Sequence, residues 1–498
     1  MSVENSEEDT VKTPHVAKAM QSGILWNLLN AFASQGAGFF IFLLLAARLP
    51  PEIFGVVALA SIVADMVSIE GRYSGMDAIV QAKRYDNKYL NSSFLSFQAV
   101  AFISMLLLVI SAPFVARVYE APLLMQFMPV FGLMLLPIPW LAVMDALIMK
   151  NLGFKELTQR NILGTVLGGV AGVIVAFSPW LVWALIVQRI VTLIVSIVFE
   201  YLHTKWAPNF RLDLLESKDF TKRFFPLWIV STLNLAMPRI ATMVFGLRYG
   251  SEVVGLLRAA QRIDESLRGP IISPLQGLWF PLMSKVRGDL EKEQEVFLSI
   301  MKTAAFVALP AFTGLWIVAD DIVAVILPQT YAGVGPLMQA VAIVALLIPL
   351  SWFNSLSMNA LEMNKAAFFY TLITVTASTI ALLAFKNAEP DMAIIIMAVP
   401  GIFIGIGGNL LVVRRLKLSL VKHYIGLFPA IFAAVIMGCC VWMSRELMAD
   451  WSALPRLIVS SLVGVIVYGG WIAVFFPNWM KKRINLLRGR GKVEAEQV

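Results

Sequence analysis

Fourteen long apolar stretches, each closed by a short charged loop, run the length of this 498-residue chain. They lie near 22–47, 54–75, 92–114, 123–147, 159–178, 180–201, 223–247, 253–282, 297–319, 332–360, 367–385, 391–413, 424–444 and 454–477. About 20 apolar residues cross a bilayer as a helix, so the pattern predicts an all-α polytopic membrane protein with about 14 transmembrane helices. Composition agrees. Hydrophobic residues make up 59% and charged residues 14%, where a soluble domain carries about 25% charged residues. A disordered chain, a collagen-like fibre and a soluble enzyme are thereby excluded. The loops are too short to hold a soluble domain. The longest connector, about 202–222, and the KVRGDLEKEQE segment that starts at Lys285 are expected to be short amphipathic links.

The net charge is +8. In a soluble protein that balance would suggest nucleic acid. In a membrane protein it reports lysine and arginine held on the cytoplasmic side, and no nucleic-acid partner is expected. With the N-terminus placed inside, 28 of the 34 loop and tail cations fall on the inner side, from Lys12 and Lys18 through Lys150 and Arg160 to Arg490 and Lys492. The outer loops hold only Arg48, Arg117, Arg248, Lys386, Arg445 and Arg456. Both termini are therefore expected in the cytoplasm, with an even number of spans. The acidic start MSVENSEEDTVK is not that of a cleavable signal peptide. Cys439 and Cys440 are adjacent, and His15, His203 and His423 are scattered. Neither set has a disulfide or metal-ligand spacing, and no metal or cofactor is expected.

The chain repeats itself. Arg48, Glu52 and Gly55 recur as Arg248, Glu252 and Gly255, an offset of 200, and LLPIPW ending at Trp140 recurs as LIPLSW ending at Trp352, an offset of 212. Chance similarity of apolar loops is the alternative, but the order of the features also repeats. The repeat organises the chain as a tail at 1–21, an N-lobe of spans 1–6 at 22–201, a linker at 202–222, a C-lobe of spans 7–12 at 223–413, spans 13 and 14 at 414–477, and a basic tail at 478–498. Each lobe has an even number of spans, so both sit the same way up. Parallel repeats of this kind hold the substrate of a transporter at the repeat interface.

Six arginines lie inside the expected spans: Arg72, Arg189, Arg239, Arg258, Arg262 and Arg268. A guanidinium at the bilayer centre costs at least about 2.5 kcal/mol, so each must meet water, a partner or a ligand. Snorkelling to an interface is the alternative, chiefly for Arg72 and Arg258. In span 8, Arg258, Gln261, Arg262, Asp264, Glu265 and Arg268 fit an arc of about 160°, a polar stripe that would face a cavity or another helix. A structural ion network, such as Arg262 with Glu265, is compatible with that. Gly269, Pro270 and Pro274 follow and are expected to bend the helix. In span 2, Asp65 and Arg72 are seven apart on one face with Ser61 and Ser68 and need not pair. Asp65 could hold a coupling proton or sodium ion, or be purely structural. Asp145 is placed at an interface. Fixed guanidinium groups suit a phosphate-bearing ligand. Trp140, Trp352, Asn354 and Asn359, with Gln261, could hold sugar rings, although membrane tryptophans also form interface belts.

The chain lacks a glycine-rich phosphate loop, a Ser-His-Asp order, a paired-carboxylate loop and a CxxC, so nothing argues for an enzyme. The fourteen spans, with ARLPPEIFGVVALASIVADM, GSEVVGLLRAAQRI, PLQGLWFPLMSKV and VALPAFTGLWIVADDIVAVILPQTYAGVGPLMQ, resemble the Wzx-type polysaccharide transporter family of the multidrug/oligosaccharidyl-lipid/polysaccharide flippase superfamily. The similarity covers about residues 20–480. It implies an inner-membrane flippase that moves undecaprenyl-diphosphate-linked oligosaccharide repeat units during assembly of exopolysaccharide, capsule or O-antigen. It also implies alternating access, proton or sodium coupling as an option, and contact with a polysaccharide polymerase and a chain-length regulator. A multidrug efflux antiporter of the same superfamily, and a membrane-embedded polymerase or glycosyltransferase, are the alternatives. The excess of buried arginine over acid speaks against the first, and the lack of a large catalytic loop against the second.

Overall fold

The computed structural model describes residues 33–82, 85–234, 236–346 and 348–475. The tails at 1–21 and 478–498, Lys83, Arg84 and the side chain of Trp352 lie outside what is described. The described residues form α1 (Ala33–Ala46), α2 (Pro51–Asp65), a π-helical segment (Met66–Gly71), α3 (Arg72–Val80), α4 (Asn87–Val118), α5 (Leu124–Leu133), α6 (Ile138–Lys150), α7 (Phe154–Ala176), α8 (Ala184–Thr204), α9 (Leu214–Asn234) and α10 (Ala236–Lys285). They continue as α11 (Leu290–Ile317), α12 (Ala319–Ile326), α13 (Val334–Ala345), α14 (Ile348–Ala360), α15 (Asn364–Ala384), α16 (Pro390–Arg415), α17 (Leu420–Leu447) and α18 (Ala453–Phe475).

Among the described residues the fold is all-helical, and ten helices are long and apolar enough to cross a membrane, or eleven when α5 and α6, bent by 43°, count as one broken span. The first expected span, 22–47, begins outside the described residues. The break between α5 and α6 has a local cause. In LLPIPW, Pro137 and Pro139 lack an N–H and stop α5 and α6 from fusing. The second copy, LIPLSW, starts at the corresponding break, between α13 and α14. The repeated motif therefore marks a repeated helix break.

Two compact units make up the chain, Met1–Arg258 and Ala259–Val498. In the first, α7 and α8 pack closely because Gly164, Gly168 and Gly172 lie one turn apart on α7 and leave room for Gln188 and Thr192 of α8. Thr192 Oγ1 donates to the Gly164 carbonyl at 3.0 Å. The connector before α9 is held by α4: Asn91 Oδ1 accepts from the Asn209 N–H at 2.8 Å, and Lys88 meets Asp213 at 2.9 Å.

The Arg48/Arg248 repeat takes physical form in this unit. A Cβ built on Gly55 would run into the Ser251 carbonyl and stand 2.9 Å from the Gly255 nitrogen. A Cβ built on Gly255 would run into the Pro51 carbonyl. Pro51 and Ser251 are themselves 200 residues apart, so the two copies cross with twofold-related contacts. Gly250, just before the second copy, has φ 81° and ψ 173° and separates α10 into two helices. A side chain there would be strained. At Gly269, Pro270 and Pro274, where a bend is expected, the dihedrals stay helical. Gly250 is the only non-helical position within α10, whose helical dihedrals continue through both prolines.

In the second unit, α11, α14 and α16 share a core that includes Trp279, Phe297, Met301, Met358 and Val412. Arg445 of α17 and Arg456 of α18, expected as outer-loop cations, reach back to the fully buried Asp321 of α12 at 2.6 and 2.8 Å. That ion triad ties the last two helices to the rest of the unit.

Candidate functional site

Two charged clusters stand at opposite ends of the π-helical segment. The first is centred on Asp65, 6% exposed at the end of α2. Its Oδ1 accepts from Arg189 at 2.9 Å, and its Oδ2 from Arg239 at 3.1 Å and Ser61 Oγ at 3.0 Å. Arg189 comes from α8 and also lies 5.1 Å from the Phe131 ring centre. Its side chain is 39% exposed, while that of Arg239 is 13% exposed. One carboxylate thus holds two of the arginines singled out from the sequence. It neutralises one of their two charges and leaves a net positive group with an exposed edge at Arg189.

The second cluster holds Arg72, Asp145, Arg160 and Glu200. Arg72 Nε donates to Asp145 Oδ2 at 2.5 Å and its Nη2 to Glu200 Oε1 at 2.7 Å. Arg160 Nη1 donates to both Asp145 Oδ1 and Glu200 Oε1. Asp145 and Glu200 are buried, and Arg160 is 4% exposed. Asp145, expected at an interface, and Arg160, expected as a loop cation, are carried by α6 and α7 into the protein interior, where each offsets the burial of the other. Arg72, expected among the cavity cations, is committed to this cluster.

The sequence places Asp65 and Arg72 on one face. The π-helical turns between them change that. A π turn advances less per residue than the about 100° of an α-helix, so six residues rotate Arg72 by roughly a quarter turn or more. The wide turn is supported from outside. Trp228 Nε1 donates to the Met66 carbonyl at 3.0 Å, and the Phe97 ring fills the space over Gly71. Glu200 was not singled out at the sequence level. Glu200 closes the apolar run SIVFE at the end of an expected span, where an acid reads as interfacial.

On α10, Arg262 lies 3.6 Å from Glu265, with side chains 28% and 50% exposed. Arg268 pairs with Asp264, which is 2% exposed. The stripe is thus sorted by burial: Asp264 points inward while Glu265 is exposed. Arg258 and Gln261 are half-buried and have partners of their own. Trp140 Nε1 donates to the Trp206 carbonyl at 3.2 Å, and its ring meets Tyr201. Asn354 is buried, and its amide donates to the Gly405 carbonyl at 2.7 Å. Asn359 is exposed. Among the described residues there is no cluster of His, Cys, Asp and Glu that could hold a metal.

Known proteins share this architecture. The succinoglycan biosynthesis transport protein ExoT of Rhizobium meliloti is 22% identical over 488 residues, 96% of this chain and 98% of that protein. The lipopolysaccharide biosynthesis protein WzxC of Escherichia coli is 20% identical over 333 residues, 66% of this chain and 67% of that one. Among solved structures, the lipid II flippase MurJ in an inward closed conformation superposes with a TM-score of 0.76 at 16% identity, covering 92% of this chain and all of that one. An inward-facing multidrug resistance transporter of the MATE family and MOP superfamily gives 0.56 at 16% identity, covering 79% and 94%. A family profile described as "Polysaccharide biosynthesis protein" matches residues 44–336. That match covers more than half of the 498 residues, and the chain belongs to this family of polysaccharide-biosynthesis membrane proteins.

Proposed function

We propose that this chain is a flippase that carries undecaprenyl-diphosphate-linked oligosaccharide repeat units from the cytoplasmic to the periplasmic leaflet of a bacterial inner membrane, for an exported polysaccharide. The observation that carries the proposal is the end-to-end match to a succinoglycan transport protein, 96% of one chain against 98% of the other. The shared fold with a lipid II flippase supports it. The physical problem such a protein solves is the head group. The lipid tail stays in hydrocarbon while a diphosphate and its sugars cross, and those groups lose water that must be replaced. Guanidinium groups replace it with paired, charge-assisted hydrogen bonds. Arg189, Arg239, Arg258, Arg262 and Arg268 are assigned that role. Arg189 and Arg239 keep exposed area and share one carboxylate between them, and Arg262 keeps exposed area beside the exposed Glu265. Gln261, Asn359, Trp140 and Trp352 are assigned to the sugars. Two six-span lobes, with spans 13 and 14 added and both termini cytoplasmic, would open by turns to each side.

The test is made in cells that depend on this chain for polysaccharide export. Depleting it should leave the lipid-linked repeat unit accumulated and out of reach of a glycosidase added to the periplasmic face. A repeat unit that still reaches that face at the normal rate would refute the proposal.

A further inference from the structure

We infer that Glu200 is a proton-binding site, and that its protonation loosens the helix clamp formed by Arg72, Asp145, Arg160 and Glu200. The inference deepens the proposed function by naming where a coupling proton would sit, and it rests on that function only for its consequence in transport. Three of the four carboxylate oxygens in the cluster accept from arginine: both of Asp145 and Oε1 of Glu200. The fourth, Glu200 Oε2, is buried and has no hydrogen-bond partner. A fully ionised carboxylate has charge on both oxygens, and leaving one bare in a dry interior is unfavourable. A proton on Oε2 removes that charge.

The surroundings define what the proton would change. Arg72 faces Glu200 from α3, Asp145 from α6, and Arg160 from α7, where Arg160 also donates to Asn161 Oδ1. From α2, Asp65 grips α8 about three turns earlier through Arg189. With both acids ionised the four-residue cluster is neutral. The proton comes from water, forms an O–H bond at Oε2 and returns to water on release; no other bond changes. The cluster then carries one net positive charge, and Glu200 Oε1 becomes a neutral acceptor. The bonds from Arg72 and Arg160 keep an ionised donor but lose the attraction between opposite charges that an ionised acceptor adds. The hold of α8 on α3 and α7 weakens. The π-helical segment directly before Arg72 supplies the compliance, because a π turn can shift its register where a regular helix cannot. The Asp65 cluster, with both oxygens engaged, stays closed and acts as the fulcrum.

The full-length protein in lipid nanodiscs is titrated from neutral to acid and followed by infrared difference spectroscopy. A carbonyl stretch from a newly protonated carboxyl is expected at the high-frequency end, as for a carboxyl shielded from water. It should vanish in Glu200→Gln and persist in Asp65→Asn. Carbon-13 labelling of glutamate in the unaltered protein makes the same assignment without a substitution: the band must move. After correction for intrinsic exchange, amide hydrogen exchange in α3 and α8 should be about tenfold faster at acid than at neutral pH, the scale of one weakened charge-assisted bond. Glu200→Gln should show the fast rate at both. No high-frequency band, a band unmoved by labelled glutamate, or exchange that does not respond to pH would overturn the inference. Flipping that fails while the band behaves as described would count against the substrate reading and leave the proton site standing.

Discussion

Replacing Gly55 by alanine tests the twofold-related crossing of the repeat. At an ordinary helical position the change would stabilise by about 0.5–1 kcal/mol, because alanine loses less backbone freedom on folding. Here the new methyl would stand 2.7 Å from the Ser251 carbonyl carbon and 2.9 Å from the Gly255 nitrogen, and closer still to the Ser251 oxygen. Non-bonded heavy atoms prefer about 3.5 Å, and the Ser251 oxygen is the nearest of them, so α2 and α10 must separate by about 1.5 Å. Overpacking of that kind costs about 1–3 kcal/mol. The propensity gain offsets only part of it, and a net loss of about 1–2 kcal/mol remains. Gly255→Ala should do the same against Pro51. Gly314→Ala and Gly407→Ala are the controls, since nothing lies within 4 Å of a Cβ at either position. The assay is the thermal unfolding midpoint in one detergent, read by tryptophan fluorescence. Both repeat variants should unfold several degrees below the controls. The double variant should lose less than the sum, because a contact already opened cannot be opened twice. If Gly55→Ala and Gly255→Ala unfold with the controls, the close crossing is not present in the protein.

Asp65→Asn removes the carboxylate shared by Arg189 and Arg239. Breaking a buried pair costs about 3–5 kcal/mol, reduced here because Arg189 can rehydrate, so protein level and unfolding midpoint should fall, with Arg239 the more strongly affected partner; an abundant, equally stable variant whose flipping stays fully dependent on the ion gradient would remove Asp65 from both roles. Arg262→Ala should block polysaccharide export without loss of protein from the membrane, and Arg262→Lys should restore it only in part because an ammonium lacks the planar fork; normal export by the alanine variant would refute its role. The Asp213 carboxyl, in the connector before α9, is held below its ordinary range by hydrogen bonds from Lys88 and from the Glu216 N–H. A depressed folded value means the contribution is present above the unfolded value and is lost as pH falls through the folded one. Hydrogen exchange in 205–216 should therefore quicken only at strongly acid pH, and Asp213→Asn should abolish that dependence; the same acid response in the variant would rule out Asp213 as its source.

How legible this was depended on how local the cause is. Helix breaks followed from proline, so LLPIPW and LIPLSW could be read as repeated features, although as motifs inside spans rather than as the ends of α5 and α13. The Arg48/Arg248 repeat was visible as matched letters, but that its glycines touch each other's strand of the repeat is a tertiary fact. The π-helical segment could not be read, because Met66–Gly71 carries no unusual residues and is propped by Trp228 and Phe97 from distant helices. With it went the face of Arg72. Arg189 and Arg239 stand out inside apolar spans, whereas Glu200, Asp145 and Arg160 stand near span ends, where a charge reads as a surface one. At Pro270 α10 keeps helical dihedrals, and its non-helical position is Gly250, where glycine alone carries the positive φ without strain.

The central claim is transport of a lipid-linked oligosaccharide, and reconstitution tests it most directly. Purified protein is placed in vesicles that hold an undecaprenyl-diphosphate oligosaccharide in both leaflets, and a membrane-impermeant glycosidase is added outside. Protein-free vesicles should yield only the outer-leaflet half of the substrate. Vesicles with the protein should yield nearly all of it, and Arg262→Ala should return the yield towards half. A yield that stays at half with correctly folded protein, or one that Arg262→Ala leaves complete, would contradict the account.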